Sequence, residues 1–187
     1  MKKGVIIVGL LITIAVMSSF LNFFFGSSFS PKRKLAYKII ENFSKKMKAK
    51  HGLQYSGVFE AAPNGTYDKI GILFNYPYIL TKDQGRALLL NCAEEALVAF
   101  NAAPEFEQYM TNSIFSTKNI QITIFVRSPE LGDIYYPDIA VFSFVNNTLC
   151  YDTNSPEKKS WYYTEEEESY EEAKQIIAKQ QSKVIGN

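Results

Sequence analysis

The chain opens on an unbroken apolar run and then passes between stretches where apolar residues recur about every fourth position and stretches where they alternate. The run is Gly4 to Phe25, GVIIVGLLITIAVMSSFLNFFF, 22 residues without a charge. At about 1.5 Å of rise per helical residue it reaches about 33 Å, enough for a hydrocarbon core of about 30 Å, and it predicts a transmembrane helix. A cleavable signal peptide is the alternative reading. Lys2 and Lys3 would then be its basic start, Val5 to Met17 its apolar core, and Gly26 and Ser28 the small residues at a cleavage site. Asn22 and the phenylalanines Phe20, Phe23, Phe24 and Phe25 carry the run beyond a usual signal core, which favours a retained anchor.

A helix is predicted from Pro31 to Lys50. Ser30 caps it, Pro31 suits its first position, and Leu35, Ile39, Phe43 and Met47 recur every fourth residue with Ala36 and Ile40 beside them. Gly52 supplies the stop. From Leu53 the period falls to two. Leu53, Tyr55 and Phe59 alternate with Gln54, Ser56 and Val58, Ile70, Ile72 and Phe74 alternate with Lys69, Gly71 and Leu73, and Pro63-Asn64-Gly65 between them marks the turn of a hairpin. Tyr76-Pro77-Tyr78 ends the second strand, because proline has no amide to donate.

Thr81 and Gln84 have the spacing of a capping box, and Leu89, Cys92, Ala93, Ala96 and Phe100 follow as one apolar stripe widened by Leu88 and Leu97. This helix is predicted to lie on the sheet and to end near Asn101, with a helical turn or two across Pro104 to Met110. Asn119 to Arg127 then alternates, with Ile120, Ile122, Ile124 and Val126 on one face, and Ser128 to Asp133 reads as a loop. Ile139 to Val145 and Thr148 to Asp152 form a second hairpin across Asn146-Asn147, both tolerant of positive φ. A two-residue loop sets Phe144 opposite Leu149 and Phe142 opposite Tyr151, so the aromatic positions share a face in both strands. Trp161 to Tyr163 reads as a short last strand after the polar loop Asn154 to Ser160. Thr164 and Glu167 repeat the capping-box spacing, which predicts a final helix from about Glu165 to Lys183 with its glutamates serving the helix dipole.

The order α-ββ-α-βββ(β)-α predicts an α+β fold: a transmembrane helix, an amphipathic helix, then a mostly antiparallel five- or six-stranded sheet with its helices mainly on one face. Residues 1–30 read as anchor and hinge, 31–51 as a basic juxtamembrane helix and 52–187 as an acidic globular domain. In element order alone this resembles longin and profilin-like folds, and, with a membrane-proximal first helix, extracytoplasmic PAS-like sensor modules. No motif of those families is matched, so the resemblance implies a fold and no functional residues.

Charge divides the chain more sharply than its net value of +1. Residues 1–51 hold ten Lys or Arg against Glu41 alone, while residues 52–187 hold ten bases and 18 acids. An acidic head argues against a nucleic-acid partner, which needs clustered Lys and Arg on the binding face. The basic helix suits anionic lipid, at roughly 1 kcal/mol per basic residue near the surface, with Lys32, Arg33, Lys34, Lys38, Lys45 and Lys46 as the membrane contacts. The other reading packs the apolar stripe of that helix on the head and leaves its lysines solvated, and both can hold together because the stripe and the basic face point in different directions. The short basic N-terminus before the apolar core predicts an extracytoplasmic head on a single-pass membrane protein, although the bases just after the core pull the other way under positive-inside bias.

The inventory for catalysis is short. His51 is the lone histidine, placed at a helix end where solvation or capping is its ordinary role. There is no metal-ligand cluster, nucleophile elbow or phosphate-cradling glycine loop, so no cofactor or metal is predicted. The glutamate run is read as dipole compensation, because adjacent helical residues do not converge on one ion. A carboxylate enzyme built from Glu94, Glu95, Asp133 and Asp138 is the alternative to a binding module. Cys92 and Cys150 fall on opposite sides of the sheet and are predicted to be buried free thiols. The aromatic clusters Tyr76/Tyr78, Tyr135/Tyr136 and Trp161/Tyr162 are the candidate surface for a protein, peptide or glycan ligand, or else they cover the sheet ends. The expectation is a membrane-tethered, non-enzymatic binding or assembly module.

Overall fold

In the computed structural model the described residues are 30–112, 114–128, 132–155, 157 and 162–185. The Gly4–Phe25 run lies outside them, and among the described residues no helix is long and apolar enough to cross a membrane. Leu35–Asn187 is one compact unit, so the greater part of the first helix belongs to the same unit as the sheet.

The elements are α1 (Pro31–His51), β1 (Gln54–Ala61), β2 (Lys69–Tyr76), α2 (Lys82–Asn101), α3 (Pro104–Glu107), β3 (Ile120–Ser128), β4 (Gly132–Asp133), β5 (Val141–Val145), β6 (Thr148–Asn154), β7 (Tyr162–Ser169) and α4 (Tyr170–Ile185). They make an α+β fold on one seven-stranded sheet in the order β1-β2-β3-β5-β6-β7, with β4 paired to β3 off the main path. Every pairing is antiparallel except β2 with β3, which run parallel because α2 carries the chain across between them.

Local chemistry explains most boundaries. The Ser30 hydroxyl accepts from the amide of Arg33 at 3.3 Å to cap α1. Gly52, at φ +74, ends that helix by returning its amide to the Lys48 carbonyl. The Thr81–Gln84 capping box is formed in both directions. Asn146 and Asn147 both take positive φ, the signature of a type I′ turn, and pair Phe144 with Leu149 and Phe142 with Tyr151.

All three long helices lie on one face of the sheet. Phe43 of α1 meets Phe74 with ring centroids 6.0 Å apart, Gly85 of α2 sits directly on the Phe142 ring, and Tyr170 of α4 packs on Phe144 at 5.8 Å. The register puts Phe74, Ile124 and Phe142 in one row across that face, and Ile72, Ile122 and Phe144 in the next. These residues are fully buried, as are Leu89, Cys92, Ala93, Ala96 and Phe100 of the α2 stripe. A satellite of stacked rings, Tyr67, Phe100, Phe106 and Phe115, closes one end of the core.

The pattern mispredicts the C-terminal third in a definite way. The residues from Thr164 to Ser169 continue β7 as strand, so the four glutamates lie in a sheet and α4 starts at Tyr170. The working cap is Ser169 with Glu172. The serine hydroxyl accepts from the Glu172 amide at 3.2 Å and the carboxylate accepts from the Ser169 amide at 2.9 Å. The strand wins because its glutamates meet partners brought from far away: Glu168 and Glu166 reach Arg86 and Lys82 of α2, and Glu165 accepts from Thr153 at 2.9 Å. The stretch read as a loop from Ser128 also contains the two-residue strand β4, paired with Arg127 and Ser128. The main path has the six strands at the upper end of the expectation, and β4 adds a seventh off that path.

Candidate functional site

Helix α1 presents two faces with different fates. Its apolar stripe, Ala36, Ile39, Ile40, Phe43 and Met47, is buried in the core. Met47 Sδ lies 3.6 Å from Cys92 Sγ of α2, and Lys46 and Lys50 both bond Glu95 of that helix, the latter at 3.2 Å. Contact with lipid through this stripe is therefore closed, and of the two readings of the helix the stripe follows the one that packs it on the head.

The adjacent face of α1 carries Tyr37, Ile40, Glu41, Ser44, Lys45 and Lys48, which with Tyr55 of β1 wall a groove of about 390 Å³. The groove depends on an irregularity in β1. Gly57 pairs with Leu73 but Tyr55 pairs with Phe74, so Ser56 is an extra residue and Tyr55 turns to the helix side. Without that bulge, strand alternation would aim Tyr55 at the opposite face.

The chemistry of the groove is mixed. Tyrosine rings and Ile40 give it apolar walls. Ser44 is 8% exposed and its hydroxyl oxygen has no hydrogen-bond partner, which costs free energy in a buried setting. Lys45 bonds Glu41 at 2.6 Å, and that hydrogen bond and charge hold the Glu41 carboxyl below its ordinary range. Burial, with Tyr37 and Glu60 nearby, raises the Tyr55 hydroxyl, so it stays protonated at neutral pH. Lys48 is exposed and no ion pair engages it among the described residues.

The aromatic clusters come to one end of the sheet without lining one cavity. Tyr76 and Tyr78 meet edge to face at 5.7 Å, with Tyr78 68% exposed. Tyr135 is half-buried, and Tyr136, 69% exposed and joined to Pro137 by a cis bond, donates its amide to the Asn154 carbonyl. Asn154 pairs with Tyr162, whose ring lies 6.4 Å from Phe125, itself beneath Arg127 at 5.7 Å. Tyr76 shares its row with Val126 on the helix face, whereas Phe125 and Tyr162 lie on the open face. Trp161 lies outside the described residues.

Of the basic residues expected at a membrane surface, Lys32, Arg33 and Lys34 occupy the first turn of α1 and Lys38 is exposed one turn on. Lys45 and Lys46 are engaged by Glu41 and Glu95. His51 closes the same helix, with its Nε2 buried and unpartnered and its pKa lowered chiefly by burial.

The strongest electrostatic cluster was invisible to pattern reading. Arg86, 3% exposed, donates to Glu168 at 2.6 and 3.2 Å and to Asp83, while the Tyr151 hydroxyl donates to Glu168 as well. Burial alone would lower the guanidinium pKa, but the Glu168 and Asp83 bonds outweigh it and raise it overall. Burial and Glu168 also raise the Tyr151 hydroxyl well above its ordinary value. Each charge is consumed by a partner, so the cluster ties α2 to β7 and offers no vacancy for a substrate.

The carboxylates weighed for catalysis do not converge. Glu95 faces α1, and Glu94 accepts from the hydroxyl of Tyr170, the residue whose amide bonds Asn147 at the β5–β6 turn. Asp133 stands opposite Arg127 in the β3–β4 ladder, and the Asp138 backbone amide donates to the Tyr135 carbonyl, at the opposite end of the sheet. Among the described residues no three His, Cys, Asp or Glu side chains group as metal ligands. Both cysteines are free, as expected, but only Cys92 is buried; Cys150 is half-exposed on the open face, where its neighbours Ser143 and Glu167 are too short or too peripheral to cover it. No family model, no curated protein and no solved structure matches this chain.

Proposed function

We propose that this protein is a membrane-tethered, non-enzymatic binding or assembly module. The apolar run Gly4–Phe25 is the tether, the lysines of α1 lie toward anionic headgroups, and the acidic head works on the extracytoplasmic side. The observation that carries the binding reading is the apolar groove between α1 and β1, which has a single carboxylate, Glu41, already engaged by Lys45. A catalytic site needs a base or nucleophile activated by a neighbour, whereas the groove offers two phenols, the Ser44 hydroxyl and ammonium groups. The exposed rings of Tyr78, Tyr136 and Tyr162, with the partly buried Tyr76 and Tyr135 near them, are further contact points for a protein, peptide or glycan, and Trp161 is assigned to them from the sequence.

Because the α1 stripe is buried, its contact with lipid is electrostatic, and salt weakens it while the tether holds. Expression of the full chain followed by alkaline carbonate extraction is expected to leave it in the membrane pellet, and protease added to intact spheroplasts is expected to digest the head. A chain extracted as a soluble protein refutes the tether, and a protected head refutes the side. Alanine replacement of Tyr135 and Trp161 is expected to release copurifying partners, and their full retention refutes the aromatic surface.

A further inference from the structure

We infer that β1 accepts an extended acidic segment of a partner protein as an additional strand, with one apolar side chain of that segment seated in the α1–β1 groove. This deepens the binding-module reading and rests on it. β1 bonds β2 on one side and pairs with no described strand on the other, so its outer amides and carbonyls are available as a template. Natural edges are commonly blunted by Lys, Pro or several charges, but QYSGVFEA carries only Glu60. The single protective device is the bulge at Ser56, and it leaves Gly57 to Ala61 in regular register. The same bulge builds the groove by turning Tyr55 into it.

The occupant follows from the groove's chemistry. Its walls take an apolar side chain, and the buried, unpartnered Ser44 hydroxyl lacks a hydrogen-bonding group that a ligand backbone would supply. The rim carries Lys45 and Lys48, of which Lys48 has no ion-pair partner among the described residues. A strand with Asp or Glu beside its apolar residue satisfies all of these groups. A second copy of this chain fits worse. Two β1 edges paired antiparallel would bring two α1 helices together over the seam, each with Lys38, Lys45, Lys46, Lys48 and Lys50 against Glu41 between Leu35 and His51.

Selection from a random octapeptide display library, matched to the 8-residue length of β1, tests this on the full chain in detergent micelles. Enriched peptides are expected to carry an apolar residue flanked by Asp or Glu. Lys48→Glu, an exposed and unpaired position, is expected to weaken them about tenfold or more, as is N-methylation of alternate peptide nitrogens. No enrichment over empty micelles overturns the inference, as does enrichment of basic peptides or binding indifferent to both changes. A chain that dimerises through β1 and thereby excludes the library also overturns it. Peptides that bind but ignore Lys48→Glu and N-methylation leave the protein a binding module and sink only the β1 site.

Discussion

The two edges of the sheet are built on opposite principles. β7 ends the sheet with TEEEES, four consecutive glutamates on an outer strand. Two of them are drawn inward to Lys82 and Arg86, one to Thr153, and Glu167 stands beside Cys150 on the open face. The strand is thus pinned to α2 and β6 by side chains while its charge discourages another strand from adding. β1 has almost none of this. It is held by its ladder to β2, by the Phe59 ring lying over Gly71, and by Tyr55 beside α1. One edge is sealed by charge and anchored by the buried Arg86–Glu168 pair. The other is open, aromatic and backed by a groove, and that difference is what the proposed β1 site rests on.

The comparison breaks most visibly at Arg86. Arg86→Met leaves Glu168 buried without its partner and is expected to cost about 3–5 kcal/mol in urea unfolding. Adding Glu168→Leu should recover most of the loss, because the uncompensated charge goes with it. A loss below about 1 kcal/mol for Arg86→Met would mean that β7 is not held by this pair. Gly85→Ala acts on the same seam more gently. A Cβ there would fall 1.9 Å from the Phe142 ring, so α2 must lift and carry Arg86 from Glu168. The expected cost is about 1–3 kcal/mol by overpacking, measured in the same titration.

Smaller effects sharpen the contrast. Glu167→Thr, on the open face, should change stability by about 0.5 kcal/mol or less, while taking charge off the β7 edge and raising its self-association in light scattering. Ser56→Lys on β1 should be equally mild in stability, within about 0.5 kcal/mol, yet close that edge to added strands. The smallest effect is a pH dependence at the contact of α1 with α2. The Lys46 hydrogen bond, with Lys50, holds the folded Glu95 carboxyl below its ordinary value of 4.5. Its contribution is therefore present above that value and is lost as pH falls through the lower folded value. Lys46→Gln with Lys50→Gln should flatten the stability profile in that acid window and leave the neutral-to-alkaline profile unchanged in slope.

What the chain's pattern reveals, and what it hides, follows the same divide. Elements governed by local chemistry were legible: the Thr81–Gln84 box, the α2 stripe, the Asn146-Asn147 turn and the pairing of Phe142 with Tyr151. β7 was not, because EEEE has no periodicity and TEEE carries the same capping-box spacing as the true SYEE start of α4. The partners that decide the matter, Lys82 and Arg86, lie more than 80 residues earlier in the chain. The candidate groove was hidden for a similar reason. Tyr37 and Ser44 look like ordinary helical positions until a bulge at Ser56 turns Tyr55 toward them. The aromatic clusters are conspicuous in the sequence, but register rather than composition decides that Tyr76 takes the helix face and Tyr162 the open one.

Backbone hydrogen exchange on the full chain, with and without a library-selected acidic octapeptide, tests the central claim most directly. Strand addition protects the outward amides of the edge it occupies. Slowed exchange within Gln54–Ala61, with Tyr162–Ser169 unchanged, is the predicted result. Protection that appears in Tyr162–Ser169, or in neither strand while the peptide is bound, would contradict the claim.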